Sequence, residues 1–398
     1  MADSLWIIGV AMTKFMRYKD RDLIDLGTEA ATAALSDAGL TIFDADILAA
    51  GCLFDTGGVG QRLQKQIGQT GIPVYNVTNA CATGATAFRV AAMAIKAGEA
   101  SIGLAVGLEQ MGKRGLLGAQ PAGKDRPYQP SGRYGAVGPV EGVLGTSLMP
   151  GTFAQSGMEY AYQHDGVGFE QFARVAEKNH AHSTLNPLAQ YQKAFSLEAV
   201  MTAEMIAYPN TLLMCCPTGD GAAAAVLCSG ERLKSMPHIV RRRAVKVSAS
   251  VMTSDPYVDG GAVQFDVNTL TRQAADKAYE QAGVGPADLD LVELHDCFAT
   301  AELCHYDNLR LCPEGGAGEF IDRRGPWRDG QIPVNVSGGL LSKGHPLGAT
   351  GIANIYEVST HLRGEAGDRQ IEGAKVGLTH VIGLGSACAV HILEKSAA

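Results

Sequence analysis

One pattern occurs twice in this sequence, and the repetition constrains the fold more than any other feature. In the first half, an extended run at 74–77 is followed by Ala-Thr-Gly at 82–84 and by a helical pattern that ends at a glycine. In the second half, an extended run at 334–336 is followed by Ala-Thr-Gly at 349–351 and by a second such helix. The repetition predicts a duplicated α/β unit whose two central helices meet at a pseudo-twofold axis.

The order of the remaining elements predicts an α/β fold with parallel strands. Apolar runs at 5–10, 46–52 and 102–108 are typical of buried strands, and a helical pattern at 23–38 separates the first two. In the second half, a strand pattern at 245–252 precedes another helical pattern. Strands that alternate with helices along a chain usually pair in parallel, because each helix carries the chain back across the sheet.

The composition fits a compact enzyme. The chain has 398 residues, of which 46% are apolar and 19% are charged, enough for two domains or one large duplicated domain. The net charge is −8, and no basic stripe is interleaved with aromatic residues, which argues against a general nucleic-acid binder. We interpret the one basic run, at 241–243, as a solvated edge before a strand.

The sequence also bears on the cellular setting. No apolar run approaches the length of a membrane span, and the N-terminal apolar stretch is too short for a secretory signal. Nine cysteines, scattered without the spacing of a disulfide framework, fit a reducing compartment. We therefore predict a cytoplasmic protein with no membrane span.

The segment at 111–207 differs in character from the sequence on either side of it. Irregular stretches with glycine and proline are followed by helical patterns, and strand signals are lacking. An excursion of this kind within an α/β chain often covers a site. We predict an inserted loop domain at 111–207, an N-terminal half formed by 1–110 and 208–240, and a C-terminal half at 241–398.

Cys81 stands where the first central helix is predicted to begin, with Thr78 or Asn79 as a plausible N-cap. The free N–H groups at a helix N-terminus favour a thiolate, so this cysteine could be a nucleophile near neutral pH. The alternative is that Cys81 is an inert, buried small residue. This stretch alone leaves both interpretations open.

The second copy of the repeated pattern supplies a histidine. Gly348 stands in the place of Cys81, and the longer turn before it carries His345 between Gly344 and Pro346. If the two helix starts face each other, His345 is presented to Cys81. A cysteine and a histidine form the pair that nucleophilic acyl chemistry needs, since the imidazole takes the thiol proton.

A third candidate segment follows an apolar strand pattern at 289–294. It delivers His295, Asp296 and Cys297 at the carboxyl end of the strand, where doubly wound sheets bind ligands. Cys297 is a candidate acid/base, His295 a candidate donor to an oxyanion, and Asp296 a structural residue. The alternative is a metal site, disfavoured because no C-x-x-C knuckle is present. Its further ligands would be Cys304, His305 and Cys312.

Three motifs in these segments resemble the signature blocks of one family. The stretches NACATGA, HDCF and SGGLLSKGHPLGATG are similar to those of thiolases, in particular the HDCF branch typified by the thiolase of sterol carrier protein X type and including acetyl-CoA acetyltransferases. The resemblance covers nearly the whole chain. It implies the thiolase fold: two similar five-stranded α/β halves in an α-β-α-β-α layered arrangement, with a loop domain inserted in the first half. It also implies a homodimer or homotetramer.

The resemblance implies a role for each candidate residue. Cys81 would be the acylated nucleophile, and His345 would activate it and help to hold a thioester oxyanion. His295 would stand in that hole where other thiolases have asparagine. Cys297 would move the α-carbon proton. The backbone N–H groups of Cys81 and Gly383 would form the second oxyanion hole.

The chain departs from many thiolases in one motif, since residues 381–383 read Val-Ile-Gly where those enzymes have C-x-G. This departure assigns the second thiol to Cys297. The implied reaction is the reversible, CoA-dependent thiolysis of a 3-oxoacyl-CoA through an acyl-cysteine, as in fatty acid β-oxidation, or the reverse Claisen condensation. Coenzyme A and acyl-CoA would be substrates, and neither a permanently bound cofactor nor a metal is implied.

The alternatives to this interpretation are a carbon–carbon lyase, a carrier and a partner-dependent subunit. Relatives on this fold that perform retro-aldol carbon–carbon cleavage lack the nucleophilic cysteine. The presence of Cys81, Cys297 and His345 together argues against that reaction here. In a non-catalytic acyl-CoA or lipid carrier, a complete set of acid, base and nucleophile would be idle. A condensing subunit that depends on a partner subunit remains possible on the sequence alone.

Overall fold

The computed structural model describes residues 4–55, 57–112, 148–256, 267–384 and 387–396. The strands in these ranges are β1 (Leu5–Met12), β2 (Ile47–Gly51), β3 (Val74–Val77), β4 (Ile102–Gln110), β5 (Met205–Ala207), β6 (Asn210–Thr211), β7 (Asp220–Ser229), β8 (Val245–Thr253), β9 (Leu291–Glu293), β10 (Val376–Gly383) and β11 (Ala387–Lys395). The helices of the first half and of the segment after it are α1 (Leu23–Asp37), α2 (Val59–Ile67), α3 (Thr83–Lys96), α4 (Leu148–Gln163), α5 (Phe169–Ser183), α6 (Leu197–Met201), α7 (Gly230–Lys234) and α8 (His238–Arg243). The helices of the second half are α9 (Thr269–Ala282), α10 (Ala299–Asn308), α11 (Ala317–Asp322), α12 (Gly339–Lys343) and α13 (Leu347–Arg363).

The main sheet shows the predicted duplication in its strand order, which is β3-β2-β4-β7-β1-β8-β11-β10-β9. In the first half β3, β2 and β4 are parallel, and β7 and β1 follow antiparallel. In the second half β9 and β10 are parallel, and β11 and β8 follow antiparallel. Val334 pairs with Val292 by a single parallel bridge, in the position that corresponds to β3. The two halves therefore repeat one order and one set of directions.

The predicted pair of five-stranded halves differs from the structure in two details. The fifth strand of the second half is reduced to the bridge at Val334. The two half-sheets are also joined edge to edge, because β1 and β8 pair over Trp6 with Lys246 and Ile7 with Val245. The duplication and the α/β class are confirmed.

Helices cover both faces of the half-sheets. Helix α1 packs on β1, β7 and β4, and α9 packs on β8 and β11. Between the two half-sheets lie α3, which packs on β2 and β4, and α13, which contacts β4, β7 and β10. This is the predicted layered arrangement of helices and strands. It explains why β7, with the sequence DGAAAAVLCS, is buried along almost its whole length.

Glycine lets the two central helices start in direct backbone contact. A Cβ atom on Gly84 would lie 2.6 Å from the carbonyl oxygen of Gly348. A Cβ atom on Gly351 would collide with the backbone of Ala85. The N-terminal ends of α3 and α13 therefore meet, and the segments that lead into them, which carry Cys81 and His345, are brought to one place.

The connection after β4 is long, whereas the equivalent connection in the second half is short. In the second half, β10 reaches β11 through 384–386, whereas in the first half 111–219 separate β4 from β7. The described part of this excursion contains α4, α5, α6 and the β5–β6 ribbon. The domain limits at 111, 207 and 240 stay predictions, and 113–147 lie outside the described residues. In the described ranges, no helix is long and apolar enough to cross a membrane.

Candidate active site

Cys81 lies in a strained turn just before α3. Ala80, the residue before it, has a φ of 46°, in the left-handed region that non-glycine residues rarely occupy. The prediction of an N-cap at Thr78 or Asn79 is wrong, because the N-cap is Ala82 and makes no side-chain cap. Instead, the backbone N–H of Asn79 donates to Thr83 Oγ1 at 2.8 Å, so a helix side chain holds the turn in place.

The surroundings of Cys81 favour the protonated thiol. Burial raises its pKa to about 12, although the backbone N–H groups of Leu384 and of Cys81 itself act in the opposite direction. The N–H groups favour the thiolate as expected, but the loss of hydration outweighs them. The nucleophilic role of Cys81 stays a prediction. A nucleophile in this state needs a base within reach.

The ring of His345, the predicted base, is held in one orientation. Its Nδ1 lies 2.8 Å from Thr350 Oγ1, and the Thr350 hydroxyl donates its only proton to the carbonyl oxygen of Pro346 at 3.0 Å. Nδ1 must then carry the ring proton, which leaves a lone pair on Nε2. Nε2 has no hydrogen-bond partner among the described residues. Burial, helped by Lys343, lowers the pKa of His345 to about 3, so the imidazole is neutral.

Cys81, His295 and His345 converge. One ligand atom from each side chain, Sγ or a ring nitrogen, lies within 4.8 Å of the other two. The two imidazole rings meet edge to face, with centroids 5.2 Å apart. Burial, followed by the nearby His345, lowers the pKa of His295 well below its usual value. His295 is thus a neutral imidazole whose N–H can be donated to an oxyanion.

Cys297 completes the group from the loop that follows β9. It is buried, and the burial, together with the nearby thiols of Cys216 and Cys81, raises its pKa well above the usual range. The N–H of Cys216 donates to the carbonyl oxygen of Cys297 at 2.9 Å, which fixes this loop against the 215–217 segment. Cys297 is a protonated thiol close to Cys81, the state required of an acid.

Cys81, Cys297 and His345 line one apolar cavity of about 150 Å³. Its walls include Phe153 from α4 and Phe298, whose rings stack with centroids 5.3 Å apart. The other lining residues are Met111, Met149, Pro150, Ile206, Leu212, Cys215, Cys216, Pro217, Thr218 and Leu347. The described part of the predicted excursion therefore contributes to the site.

Two sequence families match the chain, one in each half. The family described as "Thiolase, N-terminal domain" matches residues 5–130, and "Thiolase C-terminal domain-like" matches residues 264–395. The chain belongs to the thiolase family. The family, the fold and the motif-based resemblance are thus confirmed together.

Relatives agree with this membership along the whole chain. "Sterol carrier protein 2" of Rattus norvegicus is 39% identical over 97% of this chain and 71% of its own length. "Acetyl-CoA acetyltransferase" of Methanothermobacter thermautotrophicus is 36% identical over 98% of this chain and 99% of its own length. Among solved structures, "Ltp2-ChsH2(DUF35) aldolase" superposes with a TM-score of 0.81 at 24% identity, covering 100% of this chain and 99% of that one. At that identity the superposition concerns the fold alone.

In this thiolase, Asp296 connects two of the signature motifs. Its carboxylate accepts the N–H groups of Leu340 at 2.7 Å and Leu341 at 3.2 Å, at the start of α12. Gly339 has a φ of 59°, and any side chain at that position would collide with the carboxylate. The HDCF loop is thereby fixed to the segment that leads to His345, which fits the structural role expected for Asp296.

A buried polar network behind Asp296 was missed in the sequence. Asn179 Nδ2 donates to Asp296 at 2.8 Å and to Glu302 at 2.6 Å. Lys178 Nζ lies 2.8 Å from Glu302, and neither side chain is exposed. Lys178 and Asn179 lie in α5, within the helical patterns predicted for 111–207. No sequence motif marks these polar residues as buried.

The second predicted oxyanion hole involves the backbone N–H groups of Cys81 and Gly383. Gly383 is the last residue of β10, and a side chain there would collide with the carbonyl of Asn79. The backbone N–H groups that contact the Cys81 thiol are those of Leu384, the residue after Gly383, and of Cys81 itself. Gly383 therefore permits the close approach, and its role as a donor stays a prediction.

The metal alternative with Cys304, His305 and Cys312 is not supported by the geometry. Cys304 Sγ contacts the carbonyl oxygen of Ser156 at 3.9 Å, and the His305 ring packs on that of His380 with centroids 4.5 Å apart. In the ranges that the structure describes, the one group of ligand-type side chains that converges is Cys81, His295 and His345.

Proposed function

We propose that this thiolase cleaves 3-oxoacyl-CoA with free CoA through an acyl-Cys81 intermediate, or condenses two acyl-CoAs in the reverse direction. The observation that carries the proposal is the convergence of Cys81, His295 and His345 within 4.8 Å. The Cys297 thiol lines the same cavity. Coenzyme A would enter as a substrate, in keeping with the name of the acetyl-CoA acetyltransferase relative.

In the first half-reaction, Sγ of Cys81 attacks the keto carbon while its proton moves to Nε2 of His345. The carbon–carbon bond then breaks, and the acetyl-CoA or propionyl-CoA enolate leaves. The N–H of His295 and the protonated His345 hold the enolate oxygen, and Cys297 gives its proton to the α-carbon. Each well-placed donor to an oxyanion lowers the barrier by about 3 to 4 kcal/mol.

In the second half-reaction, the Cys297 thiolate takes the thiol proton of CoA. The CoA sulfur attacks the acyl-Cys81 carbonyl, and backbone N–H groups near Cys81 and Gly383 hold the oxyanion. Collapse of this intermediate releases acyl-CoA and returns the Cys81 thiolate, which regains a proton from His345. Because one thioester replaces another, the step is nearly neutral in free energy.

The experiment is intact-mass analysis after incubation with 3-oxoacyl-CoAs of different length and branching, without free CoA. We expect a mass increase equal to the acyl group, mapped by peptide analysis to Cys81, and no increase in Cys81→Ala. Cys228, fully buried in β7, supplies the matched control Cys228→Ala. An adduct that persists in Cys81→Ala would contradict the assignment of the nucleophile.

A carbon–carbon lyase of the retro-aldol kind is the second candidate, because a structure titled an aldolase superposes with a TM-score of 0.81. Cys81, with a base oriented toward it, favours the thiolase reaction. The same experiment separates the two functions, since a lyase would release products without an acylated intermediate. A requirement for a partner subunit would appear as acylation only after that subunit is added.

We also propose that the chain assembles with a second copy through β3. This strand is the outer edge of the sheet and has β2 as its one strand neighbour in the described ranges. Tyr75 in β3 is 52% exposed, and Met93 in the following helix is 48% exposed. An open edge strand beside exposed apolar side chains can pair with its own copy about a twofold axis.

A further inference from the structure

Three buried side chains of the site, one cysteine and two histidines, place possible ligand atoms close together. Cys81 Sγ and ring nitrogens of His295 and His345 lie within 4.8 Å of each other. Nε2 of His345 and both ring nitrogens of His295 have no hydrogen-bond partner among the described residues. Buried polar atoms without partners are rare, so this cluster indicates a ligand that supplies the missing interactions.

We propose that Cys81, His295 and His345 also bind the thiophilic cation Zn²⁺ reversibly, in a state of the site that excludes acyl transfer. Two imidazole nitrogens and one thiolate form a ligand set that zinc prefers. Three protein ligands leave a fourth coordination position for water, and the cavity beside Cys81 provides the space. The inhibition, though not the binding, rests on the function proposed above.

The donor distances require only a modest contraction. Zn–N bonds of about 2.0 Å and Zn–S bonds of about 2.3 Å place the ligand atoms of a tetrahedral site roughly 3.3 to 3.7 Å apart. His295 can supply this movement, because no hydrogen bond to a described residue holds its ring. The backbone N–H of His295 donates to His380 Nδ1 at 3.4 Å. The main chain is therefore held in place while the imidazole ring rotates about the side-chain bonds.

His345 already has the arrangement of a metal ligand. Its Nδ1–H is donated to Thr350 Oγ1 at 2.8 Å, which leaves Nε2 as the free donor. Histidines that bind metals are usually oriented by such a partner on the other ring nitrogen.

Binding and acylation are mutually exclusive because both use the sulfur of Cys81. When the Zn–S bond forms, the thiol proton leaves to solvent, so one proton is released for each cation bound. The bound cation also occupies the base Nε2 of His345. A zinc-loaded site therefore lacks both nucleophile and base, and removal of the cation restores both.

The experiment uses the full chain, freed of metal by a chelator, and Co²⁺ as the spectroscopic probe. One equivalent of Co²⁺ should produce a thiolate-to-cobalt charge-transfer band and the intense visible bands of a tetrahedral site. Added Zn²⁺ should displace the cobalt and erase both. Cys81→Ala should lose the charge-transfer band, and Cys228→Ala, at a buried thiol outside the site, should keep it.

Thr350→Val gives a second measure that leaves all three ligands in place. Loss of the partner of Nδ1 should weaken cation binding about 10- to 100-fold. Thr350→Ser, which retains the hydroxyl, should restore binding to near the wild-type value. A charge-transfer band that persists in Cys81→Ala would overturn the proposal, as would the failure of the wild-type chain to bind one equivalent.

The fate of the acylation reaction is measured separately, by intact mass with and without Zn²⁺. Acylation in chelator that slows at least tenfold with one equivalent of Zn²⁺, and recovers with more chelator, supports the proposal. Acylation at an unchanged rate in the presence of Zn²⁺ would contradict the proposed metal site and would support the proposed thiolase function. Cobalt binding without any acylation would support the proposed metal site and would contradict the proposed thiolase function.

Discussion

Thr350 Oγ1 accepts the Nδ1–H of His345 at 2.8 Å, from the first turn of the central helix α13. The same hydroxyl donates to the carbonyl oxygen of Pro346 at 3.0 Å, so its one proton is committed. One threonine therefore determines which ring nitrogen of the candidate base is free to face Cys81. The Ala-Thr-Gly that marks the internal repetition thus includes a positioning residue for catalysis.

We predict that Thr350→Val lowers kcat/KM for thiolysis about 10- to 100-fold. Loss of a buried hydrogen bond to an oriented group costs about 1 to 3 kcal/mol, and the ring can then adopt the other tautomer. Thr350→Ser should restore activity and the wild-type pH profile. Thr360→Val provides the control, because Thr360 is buried in the same helix and its hydroxyl donates to the backbone carbonyl of Glu357 at 2.8 Å. Equal losses in Thr350→Val and Thr350→Ser would contradict the positioning role.

Replacement of Cys297 should separate the two halves of the reaction. Cys297→Ala is expected to acylate Cys81 but to exchange the α-proton of acetyl-CoA with solvent at least about 100-fold more slowly, since a general acid/base is lost. NMR of acetyl-CoA in deuterated buffer measures this exchange. Cys304→Ala, at a buried thiol of α10 outside the cavity, is the control. Wild-type exchange in Cys297→Ala would assign proton transfer to another residue.

The dimer proposed through β3 predicts that charged substitutions at this edge lower the molecular mass of the protein in solution. The double variant Tyr75→Lys, Met93→Lys would carry two positive charges, one on the open edge strand and one on the adjoining helix. Because these charges would oppose pairing with a second copy, we expect the dimer to become a monomer. Analytical ultracentrifugation of the wild type and the double variant measures this. Phe43, 76% exposed in a different part of the chain, offers the matched control Phe43→Lys. A wild type that sediments as a monomer would contradict the proposal.

The sequence predicted those parts of the structure that follow from repetition and from local pattern. The two Ala-Thr-Gly segments predicted the meeting of the central helices, and Gly84 and Gly351 are the residues that permit it. The helix predicted at 23–38 and the strand predicted at 102–108 correspond to α1 and β4. The apolar pattern was long in these segments, so tertiary contacts did not have to override it.

The missed parts depend on contacts between residues far apart in the chain. Asn179 contacts Asp296 across 117 positions, and no local pattern marks a polar residue on a helix as buried. The raised pKa of Cys81 was missed for the same reason, because the burial of the thiol arises from surrounding elements and outweighs the effect of its own helix. The Cys-Cys-Pro at 215–217 could have drawn attention to the cavity wall, whereas Phe153 gave no signal at all.

Acid should destabilise the fold through buried neutral histidines, and His391 isolates the effect. It packs on Phe88 with ring centroids 5.0 Å apart, and burial, followed by Arg89, lowers its pKa to about 3 from 6.5. Between those values the unfolded chain binds the proton and the folded chain does not, so stability falls as pH falls from about 6.5 toward 3. His391→Leu should reduce the slope of unfolding free energy against pH by up to about 1.4 kcal/mol per unit.

Urea unfolding at a series of pH values tests this prediction. The exposed His238 at the start of α8 offers the control His238→Leu, which removes an imidazole from the surface. The comparison concerns slopes, so a change in stability that is the same at every pH does not affect it. A slope that is unchanged in His391→Leu would show that this histidine is protonated in the folded chain.

The ion pair of Lys178 with Glu302 should be far more important for stability than the surface pair one turn earlier in α5. Both side chains of the buried pair are 0% exposed, so Lys178→Met leaves an unpaired carboxylate in the core and should cost about 3 to 5 kcal/mol. Arg174, paired with Glu170 at 35% and 48% exposure, is the control, and Arg174→Met should cost about 0 to 1 kcal/mol. Lys178→Met combined with Glu302→Gln should lose less than the sum of the single changes, because no charge is then stranded. Urea unfolding gives these free energies, and equal losses in Lys178→Met and Arg174→Met would contradict the argument.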